Sequence, residues 1–193
     1  MVPKEIERKF TIKYLPQNVE SVKKITQKHI FKDSVCSVRV RRSIDMFTKE
    51  AVYTHTIKAR EEEMQKYSIC ELERKITEKE FEQARPFKGS KVVEKYRCIV
   101  PIQDGLKAEV DLFEGWMKGL IIAEVEFKSV EQAENFAMPN WFEEPVMHKE
   151  FSNRALSTMS RYQITKLIGR KQMADNGRIY EFLRKKILRR KIQ

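Results

Sequence analysis

Residues that commonly mark a metal or redox site are scarce in this sequence. Its three cysteines are far apart and form no Cys-x-x-Cys pair, so neither a disulfide framework nor a cysteine-based zinc site is expected. The three histidines, His29, His55 and His148, also lack the spacing of a His-based metal site. With only six glycines and six prolines in 193 residues, the chain has no room for low-complexity linkers and is expected to fold as a globular unit.

Long apolar segments are missing as well. The longest uninterrupted apolar run covers residues 120–123, far below the roughly 20 residues of a membrane-spanning helix. The start, Met1-Val2-Pro3-Lys4, has no signal-peptide core. We therefore expect no membrane span and a cytoplasmic location, while a hydrophobic fraction of 41% suffices for one domain with a buried core.

Positive charge is in excess, but the excess is local. Lys and Arg number 39 against 28 Asp and Glu, a net charge of +11, which at first suggests a nucleic-acid partner. Residues 161–193 contain eleven basic and two acidic residues, a net of +9, so the first 160 residues are nearly balanced at 28 against 26. The excess therefore belongs to the C-terminal segment and not to the body of the chain.

Seven segments alternate between charged and apolar residues, a period of two that is typical of β-strands. Such alternation is ordinary in an antiparallel sheet with one solvated face. Here, however, the charges cluster by sign within strands, and like charges opposite each other destabilise a sheet unless something neutralises them. If the sheet closes into a barrel, these side chains point into its lumen, where acids would hold divalent cations and basic groups would hold phosphate oxygens. The alternating charges are Glu5, Glu7 and Lys9; Arg39 and Arg41; Lys58 and Arg60; Glu71, Glu73 and Lys75; Lys95 and Arg97; Lys107, Glu109 and Asp111; and Glu124, Glu126 and Lys128.

Segments between and after these strands carry helical patterns. Two of them begin with what reads as a capping box, Thr77 with Glu80 and Ser129 with Gln132. The last predicted helix is amphipathic, with its basic residues on one side. This last helix covers residues 177–192. Two further helices are predicted over residues 17–26 and 153–168.

The charged pairs occur in a fixed order along the chain. The series is Glu5-Ile6-Glu7-Arg8-Lys9, Arg39-Val40-Arg41, Lys58, Glu71-Leu72-Glu73, Lys95-Tyr96-Arg97, Glu109-Val110-Asp111 and Glu124-Val125-Glu126. This series resembles the CYTH superfamily of triphosphate tunnel metalloenzymes, over residues 4–165. A single Glu-x-Glu-x-Lys is a weak signal in a highly charged protein, whereas the ordered series is specific.

The resemblance implies an α+β fold, namely an eight-stranded antiparallel β-barrel whose interior is a tunnel, with flanking helices and a basic C-terminal helix. The tunnel domain would comprise residues 1–168, and the helical extension residues 169–193. Seven strands are clear from the pattern. Residues 145–150 would supply a short eighth strand, with Lys149 in the tunnel.

The resemblance also implies roles for the tunnel residues. Because no Gly-x-x-x-x-Gly-Lys-Ser/Thr loop is present, side chains must bind the phosphates. The implied phosphate-binding set is Lys9, Arg39, Arg41, Lys58, Lys95, Arg97 and Lys149. The implied ligands of Mg²⁺ or Mn²⁺ are Glu5, Glu7, Asp111, Glu124 and Glu126, and the implied catalytic set is Lys9, Glu124 and Glu126. Glu71, Glu73, Lys75 and Glu109 would position the neighbouring basic groups.

The expected function is metal-dependent hydrolysis of a triphosphate. Inorganic tripolyphosphate is the leading substrate because no long insertion is shaped to hold a nucleobase; thiamine triphosphate and RNA 5′-triphosphate are further candidates within the family. One alternative is adenylate cyclase activity, which converts ATP to cyclic AMP and pyrophosphate. Another is a non-catalytic polyphosphate- or RNA-binding module, against which the paired acids count.

The C-terminal helix has its own alternatives. We expect its apolar stripe to pack on the barrel or on a second copy of the chain, which would form a homodimer. Contact of its basic face with nucleic acid or a membrane surface is the less favoured interpretation.

Overall fold

β-Strands make up most of the fold. The computed structural model describes residues 4–59, 68–146, 149–169 and 176–189, and for Lys4, Glu5, Ser68, Ile69, Glu144, Lys149, Leu188 and Arg189 it describes the backbone alone. Each of the seven charged, alternating segments contributes a strand, as predicted, although Arg60 lies outside the described residues. The described strands are β1 Lys4–Ile12, β2 Ser21–Lys32, β3 Cys36–Asp45, β4 Ala51–Ala59, β5 Ser68–Lys75, β6 Val93–Pro101, β7 Lys107–Phe113, β8 Ile121–Phe127 and β9 Phe142–Val146.

All the strand pairings are antiparallel. Hydrogen-bonded neighbours follow the order β5-β4-β3-β2-β6-β7-β8-β1-β9. β5 also pairs with the beginning of β1, where Glu5 lies opposite Ile69, while β9 pairs with the end of β1, from Lys9 to Ile12. The result is an antiparallel, sheet-rich α+β fold in which β1 contacts three other strands.

The register of the sheet places the alternating charges on one face. Glu7 of β1 lies opposite Glu126 of β8, and Lys9 lies opposite Glu124. Glu124 in turn lies opposite Glu109 of β7. Because opposed residues of paired strands point to the same side of a sheet, these side chains share one face.

The opposite face of the sheet carries the main hydrophobic core. Phe10, Val110 and Val125, which alternate with charged residues, are fully buried there. Ile179 and Leu183 from the last helix belong to the same cluster. Burying a side chain of the size of Leu contributes about 1.5–3 kcal/mol, so the sheet is stabilised mainly on the side away from the charges.

Two of the described helices begin at the predicted capping residues. The Thr77 hydroxyl accepts a hydrogen bond from the backbone N–H of Glu80, whose carboxylate accepts from the Thr77 N–H. The Ser129 hydroxyl accepts from the N–H of Gln132. The described helices are α1 Glu78–Gln83, α2 Val130–Glu134, α3 Asn153–Leu156, α4 Arg161–Ile168 and α5 Gly177–Arg189.

The prediction of a helix over residues 17–26 is wrong, because most of that segment belongs to strand β2. Residues 25–29 are all buried, since helix α1 covers the outer side of the strand. There the Lys28 ammonium donates to the Phe81 carbonyl at 2.8 Å and lies 4.2 Å from the centre of the Phe81 ring. A strand that is buried on both faces has no alternation of polar and apolar residues to reveal it.

Two other predicted elements have different bounds in the structure. The short strand expected at residues 145–150 is misplaced: β9 ends at Val146, and Lys149 begins a 3-10 turn, Lys149–Phe151. The single helix expected over residues 153–168 is two helices, because Ser160 caps the beginning of α4 with its side chain. A new cap of this kind fixes a new helix start.

Helix α5 is anchored to the β7–β8 connection. The Tyr180 hydroxyl donates to the Phe113 carbonyl, lies 3.2 Å from the Leu120 carbonyl, and accepts from the Gly119 N–H at 3.1 Å. The Asn176 amide donates to the Gly119 carbonyl at 2.8 Å. The apolar stripe of α5 thus packs on the body of the same chain, and the division at residue 168 stays a prediction.

Among the residues that the structure describes, no helix has both the length and the apolar character needed to cross a membrane.

Candidate functional site

A cavity of about 220 Å³ lies on the charged face of the sheet. Charged side chains from seven of the described strands line it, and the rest of the lining comes from β2, from the connection and strand start that follow it, and from the segment before and at the start of α3. The lining residues are Glu7, Lys9, His29, Val35, Ser37, Arg39, Arg41, Lys58, Glu71, Glu73, Arg97, Glu109, Glu124, Glu126, Ser152, Asn153 and Arg154. We call the carboxylates Glu7, Glu109, Glu124 and Glu126 the acidic wall, and Arg39, Arg41, Lys58 and Arg97 the basic wall.

Lys9 connects two members of the acidic wall. Its ammonium group donates to Glu7 at 2.8 Å and to Glu124 at 2.5 Å. Burial lowers the pKa of Lys9, but the carboxylates of Glu124 and Glu7 outweigh burial, and the pKa lies above its ordinary value. Lys9 is therefore a fixed positive charge at neutral pH and not a proton acceptor.

Glu124 is held ionised by the cations around it. Burial raises the pKa of its carboxyl group, but Lys9, Arg97 and Lys95 outweigh burial and hold the pKa well below its usual range. An ionised, buried carboxylate beside several cations is a strong candidate for a functional group.

Arg97 bridges the acidic wall and a buried acid. Its Nε and Nη2 atoms donate to the two oxygens of Asp111 at 2.7 and 2.6 Å, a bidentate contact. Nη2 also donates to Glu124 at 2.9 Å, and Nη1 donates to Glu109. These partners fix the guanidinium plane before any ligand binds.

Lys95 and Asp111 are almost completely buried and do not line the cavity. The Lys95 ammonium donates to Asp111 and, at 3.2 Å, to the side-chain oxygen of Asn153. Burial and the charge of Arg97 lower the pKa of Lys95 to about 8, against the opposing effect of Asp111 and Glu124. Lys95 thus supplies a positive charge that is lost just above neutral pH.

The basic wall has its own counter-ion. Glu71 contacts Lys58 at 2.7 Å and Arg39 at 3.4 Å, and the neighbouring acid Glu73 accepts a hydrogen bond from the Thr56 hydroxyl at 2.7 Å. Of the described contacts of these two acids, only those of Glu71 reach basic groups, and the positioning role expected of both acids stays a prediction. The contacts of Glu71 hold two cations of β3 and β4 in the cavity.

Arg41 is joined to two neutral side chains of β2. Its Nε and Nη2 atoms both donate to the Gln27 side-chain oxygen at 3.4 Å, and the Gln27 amide nitrogen lies 2.8 Å from Nε2 of His29. Burial and the charges of Arg39 and Arg97 lower the pKa of Arg41 to about 10. Arg41 remains charged at neutral pH, without a carboxylate within hydrogen-bond distance among the described side chains.

Most of the residues predicted from the sequence meet in this cavity. Those that line it are Glu7, Lys9, Arg39, Arg41, Lys58, Glu71, Glu73, Arg97, Glu109, Glu124 and Glu126. Lys75 is exposed and does not line it. The side chains of Glu5 and Lys149 lie outside the described residues, so their predicted roles stay predictions.

Several lining residues were not predicted from the sequence. His29 belongs to β2, which was mistaken for a helix over part of its length. The others come from a connection, a strand start, a turn and a helix start: Val35, Ser37, Ser152, Asn153 and Arg154. Neutral residues carry no charge pattern, and turn residues carry no periodicity. Only the strand assignment of β2 could have placed Gln27 and His29 on the charged face.

The acidic wall offers oxygen donors for a divalent cation. Glu7, Glu124 and Glu126 line the cavity from the paired strands β1 and β8, and carboxylate oxygens are the ligands that Mg²⁺ and Mn²⁺ prefer. Within the described part of the chain, no three His, Cys, Asp or Glu residues form a group arranged to hold a metal. The carboxylate oxygens are the right type of ligand for such a cation, but Glu7 and Glu124 are engaged by Lys9 and the acids are not grouped around one metal position.

Comparison with known proteins identifies relatives of the chain. No family model matches it. An inorganic triphosphatase of Nitrosomonas europaea is 38% identical over 88 residues, which is 45% of this chain and 58% of that protein. The chain thus matches somewhat over half the length of this curated relative.

Solved structures give a longer match. The crystal structure of the inorganic triphosphatase NE1496 aligns with a TM-score of 0.55 and 30% identity, over 82% of this chain and 97% of that chain. Another structure, of the hypothetical protein NE1496, aligns with a TM-score of 0.55 and 29% identity, over 81% of this chain and 99% of that chain. The similarity therefore extends over nearly the full length of these solved chains.

Proposed function

This chain belongs to the CYTH-type triphosphate tunnel family, and we propose that it hydrolyses inorganic tripolyphosphate in the charged cavity with the help of Mg²⁺ or Mn²⁺. One observation carries this proposal: a single small cavity combines an acidic wall with a basic wall. A site that binds only an anion does not need the carboxylates, and a site that binds only a metal ion does not need the arginines. A metal-bound polyphosphate needs both.

We propose further that the eight strands from β1 to β8 enclose this cavity as a tunnel. The support is the pairing of β5 with β1, which links the two ends of the succession β1-β8-β7-β6-β2-β3-β4-β5. The second support is the register, which puts the charged side chains on one face of these strands. Strand β9 would then lie outside the ring, along the end of β1.

In this proposal the basic wall binds the phosphates. Arg39, Arg41 and Arg97 present planar guanidinium groups that can contact two phosphate oxygens at once. Lys58 and Lys9 supply point charges. Phosphoryl transfer depends mainly on position and on neutralised charge, and both walls are already fixed by their own ion pairs.

The acidic wall would hold the cation. Glu7, Glu124 and Glu126 are the proposed ligands, because they line the cavity on neighbouring strands. When bound, a divalent cation would neutralise phosphate charge and lower the pKa of the attacking water. Asp111 is better suited to positioning Lys95 and Arg97, since both of its oxygens accept hydrogen bonds from them.

The size of the cavity favours a small substrate. At about 220 Å³, it is below the roughly 300–1,000 Å³ of pockets that enclose drug-sized ligands. Tripolyphosphate has no base or sugar to accommodate, whereas ATP has both. The same argument counts against the cyclase alternative, which must hold the ribose beside the α-phosphate.

A product-identified assay tests the proposal. Purified protein is incubated with tripolyphosphate, ATP, thiamine triphosphate or a 5′-triphosphorylated RNA, each with Mg²⁺ or Mn²⁺. We expect phosphate release from tripolyphosphate that stops when a chelator is added. Release from another substrate alone would contradict the choice of tripolyphosphate, and cyclic AMP formed from ATP would contradict hydrolysis.

A matched pair of variants links the activity to the cavity. Glu124→Gln removes a buried carboxylate of the acidic wall, and we expect a loss of about 10–100-fold in activity or in metal affinity. Glu94→Gln makes the same change on an exposed residue of β6 that alternates with the cavity-facing positions. Equal activity of the two variants would contradict the assignment of the site.

A further inference from the structure

His29 is a buried imidazole on the cavity with one unused nitrogen. It lies in the middle of β2, opposite Arg39 of β3, and its side chain lines the cavity although the residue is only 3% exposed. Its Nδ1 atom has no hydrogen-bond partner among the described residues. A buried polar atom without a partner destabilises a fold by about 1–3 kcal/mol, which calls for a reason.

The neighbouring hydrogen bonds decide which nitrogen carries the proton. Arg41 can only donate, so the Gln27 oxygen must be the atom that accepts from it. The Gln27 amide nitrogen then lies 2.8 Å from Nε2 of His29. Since that nitrogen can only donate, Nε2 must accept, and the ring proton lies on Nδ1.

The imidazole is therefore a neutral donor among charged groups. Burial, together with the charges of Arg39, Lys95, Arg154 and Arg41, lowers the pKa of His29 to about 3. A chain of three side chains, from Arg41 through Gln27 to His29, keeps the Nδ1–H in place. Lone arginines and lysines attract any anion, whereas an oriented N–H selects the position of one acceptor oxygen.

We propose that the Nδ1–H of His29 donates to a phosphate oxygen of the bound triphosphate, and that Gln27 is the residue that positions it. This inference rests on the proposed function, because it names a substrate contact in the same cavity. It adds a neutral ligand to a set that the charge pattern of the sequence describes as entirely ionic. A polyphosphate oxygen would also satisfy the nitrogen that the fold leaves without a partner.

Binding measurements with paired variants test the inference. Tripolyphosphate is titrated by calorimetry into the full chain in the presence of a chelator, so that no turnover occurs. His29→Phe keeps an aromatic ring and loses the donor. Because a hydrogen bond to a charged group is stronger than one between neutral groups, we expect Kd to rise about 10–100-fold. His29→Asn keeps a neutral donor near the Nδ1 position, so its Kd should stay within about threefold of the wild-type value. His55→Phe makes the same His-to-Phe change at a position of β4 that faces away from the cavity, and its Kd should also stay within about threefold.

Nuclear magnetic resonance of the wild-type chain gives a readout that needs no variant. The ¹⁵N shifts of His29 should report the Nδ1–H form before tripolyphosphate is added, and the Nδ1 resonance should move on binding. A free chain with the proton on Nε2, or a Kd unchanged by His29→Phe in a folded variant, would overturn the inference alone. Absence of metal-free binding by the wild type would overturn this inference, and absence of phosphate release with Mg²⁺ or Mn²⁺ as well would overturn the proposed function.

Discussion

The stability of this protein should depend on pH through His29. In the folded state burial and the four surrounding cations lower the pKa of this imidazole from 6.5 to about 3. The unfolded chain therefore binds the proton more readily than the folded chain. The contribution of His29 to stability is complete above pH 6.5 and is lost as the pH falls from 6.5 towards 3.

The size of the effect follows from the pKa difference. Each pH unit in this window costs up to about 1.4 kcal/mol of unfolding free energy for one proton. Between pH 7.5 and pH 4.5 only the two units below 6.5 count, so the expected loss is about 2.7 kcal/mol. Arg39, Arg41, Lys95 and Arg154 stay charged over this range, so their effect on the ring is constant.

The assay compares two proteins at two pH values. Unfolding free energies of the wild type and of His29→Asn are measured by urea denaturation at pH 7.5 and pH 4.5. The variant has no titrating ring, so its loss on acidification should be smaller than that of the wild type by about 2–3 kcal/mol. Other groups titrate in both proteins and cancel in this difference.

His55→Asn makes the same change at a half-buried histidine of β4 and is the matched control. If His29→Asn and the wild type lose the same free energy between the two pH values, the imidazole is not held neutral by burial, and the reasoning fails.

Three further predictions concern other parts of the molecule. Lys95 loses its proton as the pH rises through about 8, so the advantage of the wild type over Lys95→Met in tripolyphosphate affinity should shrink above that pH; a constant advantage in calorimetric titrations from pH 6.5 to 9.5 would contradict this. Glu71→Gln removes the counter-ion shared by Lys58 and Arg39, and we expect a changed KM for tripolyphosphate in steady-state assays together with a lower thermal midpoint than that of the wild type; an unchanged KM would show that Glu71 does not position these cations. Tyr180→Phe removes the hydroxyl that donates to the Phe113 carbonyl and accepts from the Gly119 N–H and should lower the unfolding free energy by about 1–3 kcal/mol, which urea denaturation measures; no loss would mean that α5 does not stabilise the β7–β8 connection.

The strands that carry charge could be predicted from the sequence because each has one polar and one apolar face. Glu7 and Lys9 in β1, or Glu124 and Glu126 in β8, alternate with buried apolar residues, and a period of two then identifies the strand and its cavity side together. The N-caps at Thr77 and Ser129 were equally local, although of the two only Thr77 forms the full capping box. Such features involve only residues that are close together in the chain, so they can be recognised from the sequence alone.

Strand β2 could not be predicted in the same way. Both faces of its centre are buried: one faces the interior that contains the cavity, at His29, and the other is covered by α1, at Lys28. Polar and apolar residues therefore do not alternate there. The spacing of Val19, Val22 and Ile25 fits a helix by itself. Only pairing with β3 and β6 decides in favour of a strand, and pairing between distant segments is not written in a local pattern.

The near balance of charge in the body of the chain has a physical cause. Most cations of the cavity are accompanied by a carboxylate that holds them in position, as Glu71 does for Lys58 and as Asp111 does for Arg97, while Arg41 contacts the neutral Gln27. Burying these charges without partners would destabilise the fold by several kcal/mol each, so a stable protein needs both signs in equal measure. A triphosphate with its cation also brings both signs, and it can exchange partners with the walls without leaving a buried charge alone. The balance of charge that stabilises the cavity therefore also suits a metal-bound anion. Because the opposite charges cancel, the net charge of the chain does not reveal the cavity.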